Sequence, residues 1–342
     1  MSPSTRLPRR TLGRTGLEVT ALGFGSAPLG DIYEQLDDAT AIATVEAAAA
    51  GGITLFDTAP LYGQGSAEHR IGTALRRQTP GSFVLSTKVG RLTVPAPQGR
   101  TKTTRFVGGL QFDIRHDYTY DATMRSFEAS LLRLGLPKVD VLLIHDADAW
   151  SHGPIEGPKR YKEAMEGAYR ALDKLRSEKV IKGFGIGLND PGYAARYLSE
   201  GDFDCMLIAG RYSLLEQPAL AEVLPLAAKK NVGVMLGGVF NSGILATGPI
   251  AGARYNYTPA SDEILDKVRR IERVCAAHGT PLPAAAMQFC LGHTAVSAVV
   301  LGAVTPDEVR RNIASMAVRI PPALWSDLKA EKLLDAAAPS PG

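Results

Sequence analysis

The chain has 342 residues, ample for a large core, and its 38 Lys and Arg against 35 Asp and Glu leave a net charge of +3. That charge is too small and too dispersed to point to nucleic acid or to an anionic membrane surface, so small neutral or singly charged ligands are the expected partners. One large domain is expected, since roughly 250–300 residues in one domain is ordinary for an α/β barrel.

Taken in order, residues 1–9 read as a basic, proline-bearing extension without the apolar run of a secretion signal. No segment approaches the roughly 20 apolar residues of a membrane span, so no membrane association and a cytoplasmic location are expected. Val19–Gly25 is apolar and Gly-rich, as a first strand is when another backbone or a ligand approaches closely at Gly23 and Gly25. Asp37 and Asp38 cap a helix over 39–50 that Gly51-Gly52 ends. Thr54–Phe56 is a buried strand with Asp57 at its carboxyl end, and Pro60 and Gly63 force a turn that sets Tyr62 just above it. Ser66 caps a helix over 67–77, and Phe83–Lys88 returns as a third strand ending in Lys88.

Leu92–Tyr120 interrupts this rhythm with nearly thirty residues, where connections between strand and helix usually take about 2–6. It carries Arg100, Lys102, Arg105, Phe106, Phe112, Arg115, His116 and Tyr118, and reads as either a lid over a site or a surface excursion. A helix follows over 121–133, stopped by Gly135-Leu136-Pro137, and the apolar run Val139–Ile144 ends in His145. Beyond it the pattern predicts a helix over 161–179, a strand over 183–188 ending at Asn189, and a strand over 203–209 before Gly210-Arg211-Tyr212. A helix over 218–230, a strand over 232–236, a helix over 261–278, an eighth strand over 296–301 and a helix over 306–316 complete the set. Residues 336–342 are Ala, Pro, Ser and Gly and read as a flexible tail. Cys205, Cys275 and Cys290, unpaired in spacing and each in an apolar context, read as buried thiols in a reducing compartment.

Eight apolar strands alternating with helices predict a parallel sheet closed into a (β/α)8 TIM barrel over residues 10–330, with a long loop after the third strand. The alternative is an open doubly wound sheet, which the missing G-x-G-x-x-G after the first strand weakens. In a barrel, Asp57, Lys88, His145 and Asn189 converge on one face. A lysine ending an apolar run is costly to bury without a counter-charge, and Asp57 supplies one. An ammonium beside Tyr62 would stabilise its phenolate and lower its pKa from the usual value of about 10. His145 would orient the reacting oxygen while Tyr62 moves the proton, which suits exchange between a carbonyl and an alcohol. No side chain carries a hydride, so a nicotinamide cofactor is implied.

The stretch Leu55-Phe56-Asp57-Thr58-Ala59-Pro60-Leu61-Tyr62-Gly63, Lys88 after Val84–Thr87, and His145 after Val139–Ile144 resemble the aldo-keto reductase family over about residues 10–330. The resemblance implies Tyr62 as acid/base, with Asp57, Lys88 and His145 completing the tetrad. Val300–Asn312 is similar to the family's adenosine-phosphate segment, implying Gly302, Thr305, Glu308, Arg311 and Asn312 at that end of the cofactor. Where NADPH-preferring members carry a Lys and an Arg, this chain has Gly302 and Glu308. A carboxylate repels a 2′-phosphate and accepts from a ribose hydroxyl, so NAD is expected and NADP is less favoured. Thr305-Pro306-Asp307-Glu308 is equally a capping box.

Asn189 matches the family's nicotinamide-amide asparagine, although Gly187 stands where a Ser is common. Asn241-Ser242-Gly243 resembles the pyrophosphate loop. Gly25, Ser26, Arg211 and Gly237 complete the implied cofactor contacts, and Leu236-Gly237-Gly238 lacks the aromatic that often stacks on the ring. His145-Asp146, Gly210-Arg211-Tyr212, Gly237–Gly243 and the long third loop resemble the aldose dehydrogenase branch, which includes D-threo-aldose (L-fucose) and L-galactose dehydrogenases and a pyridoxal 4-dehydrogenase. That implies NAD-dependent oxidation of an aldose at C1 to a lactone, or alternatively turnover of a non-sugar aldehyde or alcohol such as pyridoxal, by a monomer or small homo-oligomer. Two other classes are weighed against this. A divalent metal held by His145, Asp146 and Asp148 would compete with Lys88 and lacks a second strand-end His. A catalytically silent nucleotide-binding barrel leaves Tyr62 and Lys88 without a purpose.

Overall fold

A computed structural model describes residues 6–99 and 105–341; Arg100 and Lys102 of the long loop lie outside the described residues. Eight parallel strands form a closed barrel: β1 Leu22–Gly25, β2 Leu55–Asp57, β3 Val84–Val89, β4 Val141–His145, β5 Gly183–Leu188, β6 Cys205–Ala209, β7 Gly233–Gly237 and β8 Val296–Gly302. They neighbour one another in chain order, and the seam closes where β8 pairs with β1 at Gly302 and Gly25. Helices occupy the connections, burying apolar faces against the outside of the barrel.

The inside is a separate apolar cluster. Leu55, Val84, Val141, Leu143, Cys205, Leu207, Met235, Ala298 and Val300 fill it, and Leu12 and Val19 floor it from below. Because side chains alternate along a strand, each inward residue fixes the direction of those two positions on. Leu55 inward places Asp57 inward, Val84 places Lys88, and Leu143 places His145. The top layer of the barrel is therefore polar while the layers beneath it are apolar.

The first expected strand is in fact two. Glu18–Thr20 pairs antiparallel with Arg9–Thr11 as a hairpin under the barrel, and only Leu22–Gly25 joins the wall. Ser66 is not a cap: Gly65 holds that position with φ 104°, after left-handed Gly63 and Gln64, and the Ser66 hydroxyl finds no partner among the described residues. The long third loop has a hairpin at its base, Arg91–Pro95 against Phe112–His116. The helix expected from residue 161 starts earlier: a first turn from Ala149, capped by Asp148, is broken at Gly153 with φ 75°, and the helical path resumes at Pro154 and runs through Pro158. Residues 336–341 are not loose throughout, since Ala338 is buried and its carbonyl accepts from Lys329 Nζ at 2.6 Å. All three cysteines are buried and free. No helix among the described residues is long and apolar enough to cross a membrane.

Candidate active site

Lys88 ends its apolar strand fully buried, and its ammonium lies 2.6 Å from Asp57 Oδ2 and donates to the Thr58 carbonyl at 2.9 Å. The same ammonium stands 5.0 Å from the centre of the Tyr62 ring. Tyr62 enters from a turn after β2 and meets the His145 ring edge-on at 5.8 Å, with Phe106 of the long loop on another side at 6.0 Å. An added Cβ on Gly187 of β5 would stand 3.3 Å from Lys88 Cε, a contact tighter than usual, so the bare glycine leaves the lysine room.

Burial acts to lower the Lys88 pKa, but Asp57 and Tyr62 more than offset it and leave the value raised. The lysine is thus an ammonium. Burial pushes the Asp57 carboxyl up against the pull of Lys88. Burial also dominates Tyr62, whose phenol is pushed up to about 12 although Lys88 pulls it down; Asp57 and Asp146 add to the rise. The expected net lowering of Tyr62 is therefore not found, because desolvation outweighs the nearby cation. His145 is held well below its ordinary value by burial, then by Arg91 and Lys88, and is a neutral imidazole whose Nδ1 has no partner among the described residues.

Beside this cluster opens a cavity of about 350 Å³, lined by Gly25, Asp57, Tyr62, Asn189, Gly237, Asn241, Ser242, Gly243 and Gly302 among others. Its size is that of a small-molecule site. Three successive left-handed residues, Asn241, Ser242 and Gly243, turn the backbone along one wall. Buried Asn241 Oδ1 and Ser26 Oγ lack partners among the described residues, and nothing stands within 4 Å of where a Gly243 Cβ would be. Unsatisfied polar atoms beside an open glycine-lined wall fit a polar, elongated ligand. The carboxyl end of β7 carries no aromatic, as read from the sequence; the cavity's aromatics are Tyr33, Tyr62, Phe240 and Tyr257.

The other expected cofactor residues stand behind or beside this lining. Arg211 donates from Nε to the Asn189 carbonyl at 2.9 Å and from Nη2 to Asn256 at 3.2 Å, with Glu216 at 3.2 Å from Nη1. It braces the wall rather than lining it. Thr305 caps the helix Pro306–Met316, accepting from the Glu308 amide, and Glu308 Oε2 accepts from the Val304 amide at 2.9 Å. Arg311 and Asn312 follow on that helix. A Cβ on Gly302 would stand 2.5 Å from Pro28 Cγ, so a side chain at 302 requires the first loop to move.

Three contributors, Arg91, Tyr257 and Glu216, were not singled out from the sequence, and a fourth, Tyr118, was named only as part of the long loop. Arg91, just past β3, pairs with Asp146 at 2.8 Å. Tyr118 is fully buried and donates from its hydroxyl to the His145 carbonyl at 2.7 Å, anchoring the end of β4. Tyr257 reaches the cavity from the segment after β7, where its amide donates to Ser242 Oγ at 3.0 Å and its ring lies under the Arg105 guanidinium at 4.0 Å. Glu216 accepts from Asn241 Nδ2 at 3.0 Å. Their only signal was a polar or aromatic residue inside a loop, which gives no direction for the side chain.

A closed (β/α)8 barrel with a buried carboxylate–ammonium pair under a tyrosine, facing a neutral histidine at the carboxyl ends of its strands, defines an oxidoreductase of the barrel type. The chain belongs to the aldo/keto reductase family, which it matches over residues 21–331. It is 42% identical over 335 residues to a pyridoxal 4-dehydrogenase of Microbacterium luteolum, covering 95% of this chain and 98% of the relative. It is also 39% identical over 326 residues to a D-threo-aldose 1-dehydrogenase of a Pseudomonas species, covering 93% and 96%. Among solved structures, the holo form of an aldo-keto reductase from Bacillus halodurans superposes with a TM-score of 0.75 at 25% identity, covering 97% of this chain and 98% of that one. Family members use nicotinamide cofactors on small-molecule substrates.

Proposed function

We propose that this protein oxidises the hydroxyl of a cyclic hemiacetal, an aldose of the L-fucose or D-threo type at C1, to a lactone with NAD as hydride acceptor. The observation that carries the reading is the buried Asp57–Lys88 pair at 2.6 Å beneath Tyr62 and against neutral His145. Tyr62 takes the proton of the C1 hydroxyl, Lys88 stabilises the phenolate it uses, and Asp57 keeps Lys88 charged and in place. His145 hydrogen-bonds the reacting oxygen and fixes its direction toward Tyr62. The nicotinamide, when bound, supplies the hydride acceptor. Asn189 would hold its amide, Ser26 and residues 241–243 its central phosphates, and the segment from Gly302 to Asn312 its adenosine end.

NAD is preferred to NADP because no cation stands at 302, where Pro28 leaves no room for one, and because Glu308 places a carboxylate at the same end. The capping bond engages one Glu308 oxygen and leaves the other for a ribose hydroxyl. A second reading takes pyridoxal as substrate. The relative at 42% identity supports it, and pyridoxal's hydroxymethyl group closes onto its aldehyde, giving the same hemiacetal chemistry on a flat ring that Tyr33 and Tyr257 suit.

The test is absorbance at the reduced-nicotinamide band with NAD or NADP over L-fucose, D-arabinose, L-galactose, L-xylose, pyridoxal and simple aldehydes. Reduction of NAD by one stereochemical set of aldoses is the expected outcome. Turnover with pyridoxal alone selects the second reading, and turnover only with NADPH and aldehydes overturns the cofactor preference.

The raised Tyr62 pKa sets a pH dependence with a definite sign. A phenol held near 12 is protonated at neutral pH, so reduction has its acid ready while oxidation waits for the phenolate. Oxidation kcat/KM should therefore rise with pH, by up to about tenfold per unit between about pH 7 and 9, while reduction stays nearly flat. Initial rates in both directions across that range decide it, and a flat oxidation profile removes Tyr62 as the base.

A further inference from the structure

One charged pair beside the site neither gives nor takes the proton just described, although it acts electrostatically on Tyr62 and His145. Arg91 and Asp146 form an ion pair at 2.8 Å, with side chains only 12% and 14% exposed. Asp146 holds a left-handed backbone, φ 49°, immediately after β4. A non-glycine residue in that region is strained, and such strain gathers where a side chain must be aimed. The turn is fixed from both sides, by the Asp146 amide donating to the Gly187 carbonyl at 2.8 Å and by Tyr118 bonding the His145 carbonyl.

The result brings Asp146 Oδ2 to 3.5 Å from His145 Nε2, and the carboxylate acts electrostatically on both Tyr62 and Tyr257. It stands against the His145 ring, which itself meets the Tyr62 ring at 5.8 Å, and is thus one side chain away from the proton-transferring phenol. The imidazole is neutral, and 3.5 Å is a loose contact that a substrate hydroxyl can replace. On the Arg91 side, the buried Nε has no partner among the described residues. A carboxylate and a guanidinium side by side present an acceptor and several fixed donors, which is what a single hydroxyl needs to be bound through both its hydrogen and its oxygen.

We propose that the Asp146–Arg91 pair selects substrates bearing a hydroxyl on the carbon next to the reacting carbon, Asp146 accepting its hydrogen and Arg91 donating to its oxygen. This deepens the function proposed above and rests on it for the placement of the substrate. The pair acts on specificity, whereas Tyr62 acts on the proton. A site built to bond a hydroxyl rejects the analogue lacking it, because its own buried polar groups are then left unpaired.

The test compares glyceraldehyde with 3-hydroxypropanal, which lacks only the 2-hydroxyl, in the reducing direction with NADH. The native protein should prefer glyceraldehyde in kcat/KM by about tenfold or more. Asp146→Asn keeps the shape and tolerates the left-handed backbone but loses the charge. It should bring the ratio to within about threefold of unity by lowering the glyceraldehyde value far more than the 3-hydroxypropanal value. If that variant is not recovered folded, Arg91→Lys, which keeps the cation and loses the fork, carries the same comparison with the same expected fall in ratio. A native ratio near one overturns the proposal. An equal loss on both aldehydes also overturns it, since it would show that Asp146 acts only by positioning His145. Failure to oxidise any aldose while the glyceraldehyde preference persists counts against the aldose reading and leaves the selector standing.

Discussion

Replacing Tyr62 by Phe should lower turnover by about a hundredfold or more while cofactor binding is nearly unchanged. The substitution removes one oxygen from the space between Lys88 and His145 and leaves the ring contacts with His145 and Phe106 in place. General acid/base groups contribute about 10²–10⁴ in rate, so a loss in that range is what proton transfer through the hydroxyl demands. Steady-state rates give the first quantity, and quenching of protein fluorescence by the nicotinamide gives the second. Near-normal turnover in the variant would assign the proton to another group.

Lys88→Met should destabilise the protein by about 3–5 kcal/mol, a large share of the roughly 5–15 kcal/mol that holds a typical native chain together. Removing the ammonium leaves Asp57 buried, with its Oδ2 unpaired beside an Oδ1 that already has no partner among the described residues. The sign of a second substitution separates this cause from lost packing. Lys88→Met combined with Asp57→Asn removes both charges, and most of the stability should return while activity does not. Chemical denaturation of the native protein, the single variant and the double variant measures the coupling directly. A double variant as unstable as the single one would show that volume, rather than charge, is what the site misses.

The barrel was legible in the sequence because its strands are apolar runs bounded by turn residues, and because a charged or polar residue ends several of them. Asp57, Lys88 and His145 were found by that termination, and strand alternation then turned all three inward. Where the reading failed, a competing signal was stronger. Ala21 interrupts nothing in the composition of Val19–Gly25, so the bend that sends Glu18–Thr20 beneath the barrel is invisible until its partner Arg9–Thr11 is known. Gly153 does break the helical path, at φ 75°, whereas Pro158 argues against a helix that nevertheless forms around it. Leu282–Cys290 is buried at seven positions and so lacks the alternation of faces by which a helix is recognised. The net pKa of Tyr62 was out of reach for a different reason, since desolvation depends on everything packed around the ring and the sequence shows only its neighbouring cation. The Arg91–Asp146 pair joins two loops across β3 and β4, and no spacing rule predicts it.

The seam of the barrel has a consequence for how the chain is made. β1 finds one of its two hydrogen-bonded neighbours in β8, and Arg10 of the floor hairpin donates to the carbonyls of Val296 and Leu291 at 2.7 and 2.8 Å, across sequence separations of 286 and 281 residues. At roughly 5–20 residues per second of synthesis, the first strand exists for some tens of seconds or less before its last partner leaves the ribosome. During that interval its free edge is a template for pairing with the wrong neighbour. The short four-residue length of β1 and its two glycines make it a poor template, so the strand that must wait longest is ill suited to aggregate while it waits.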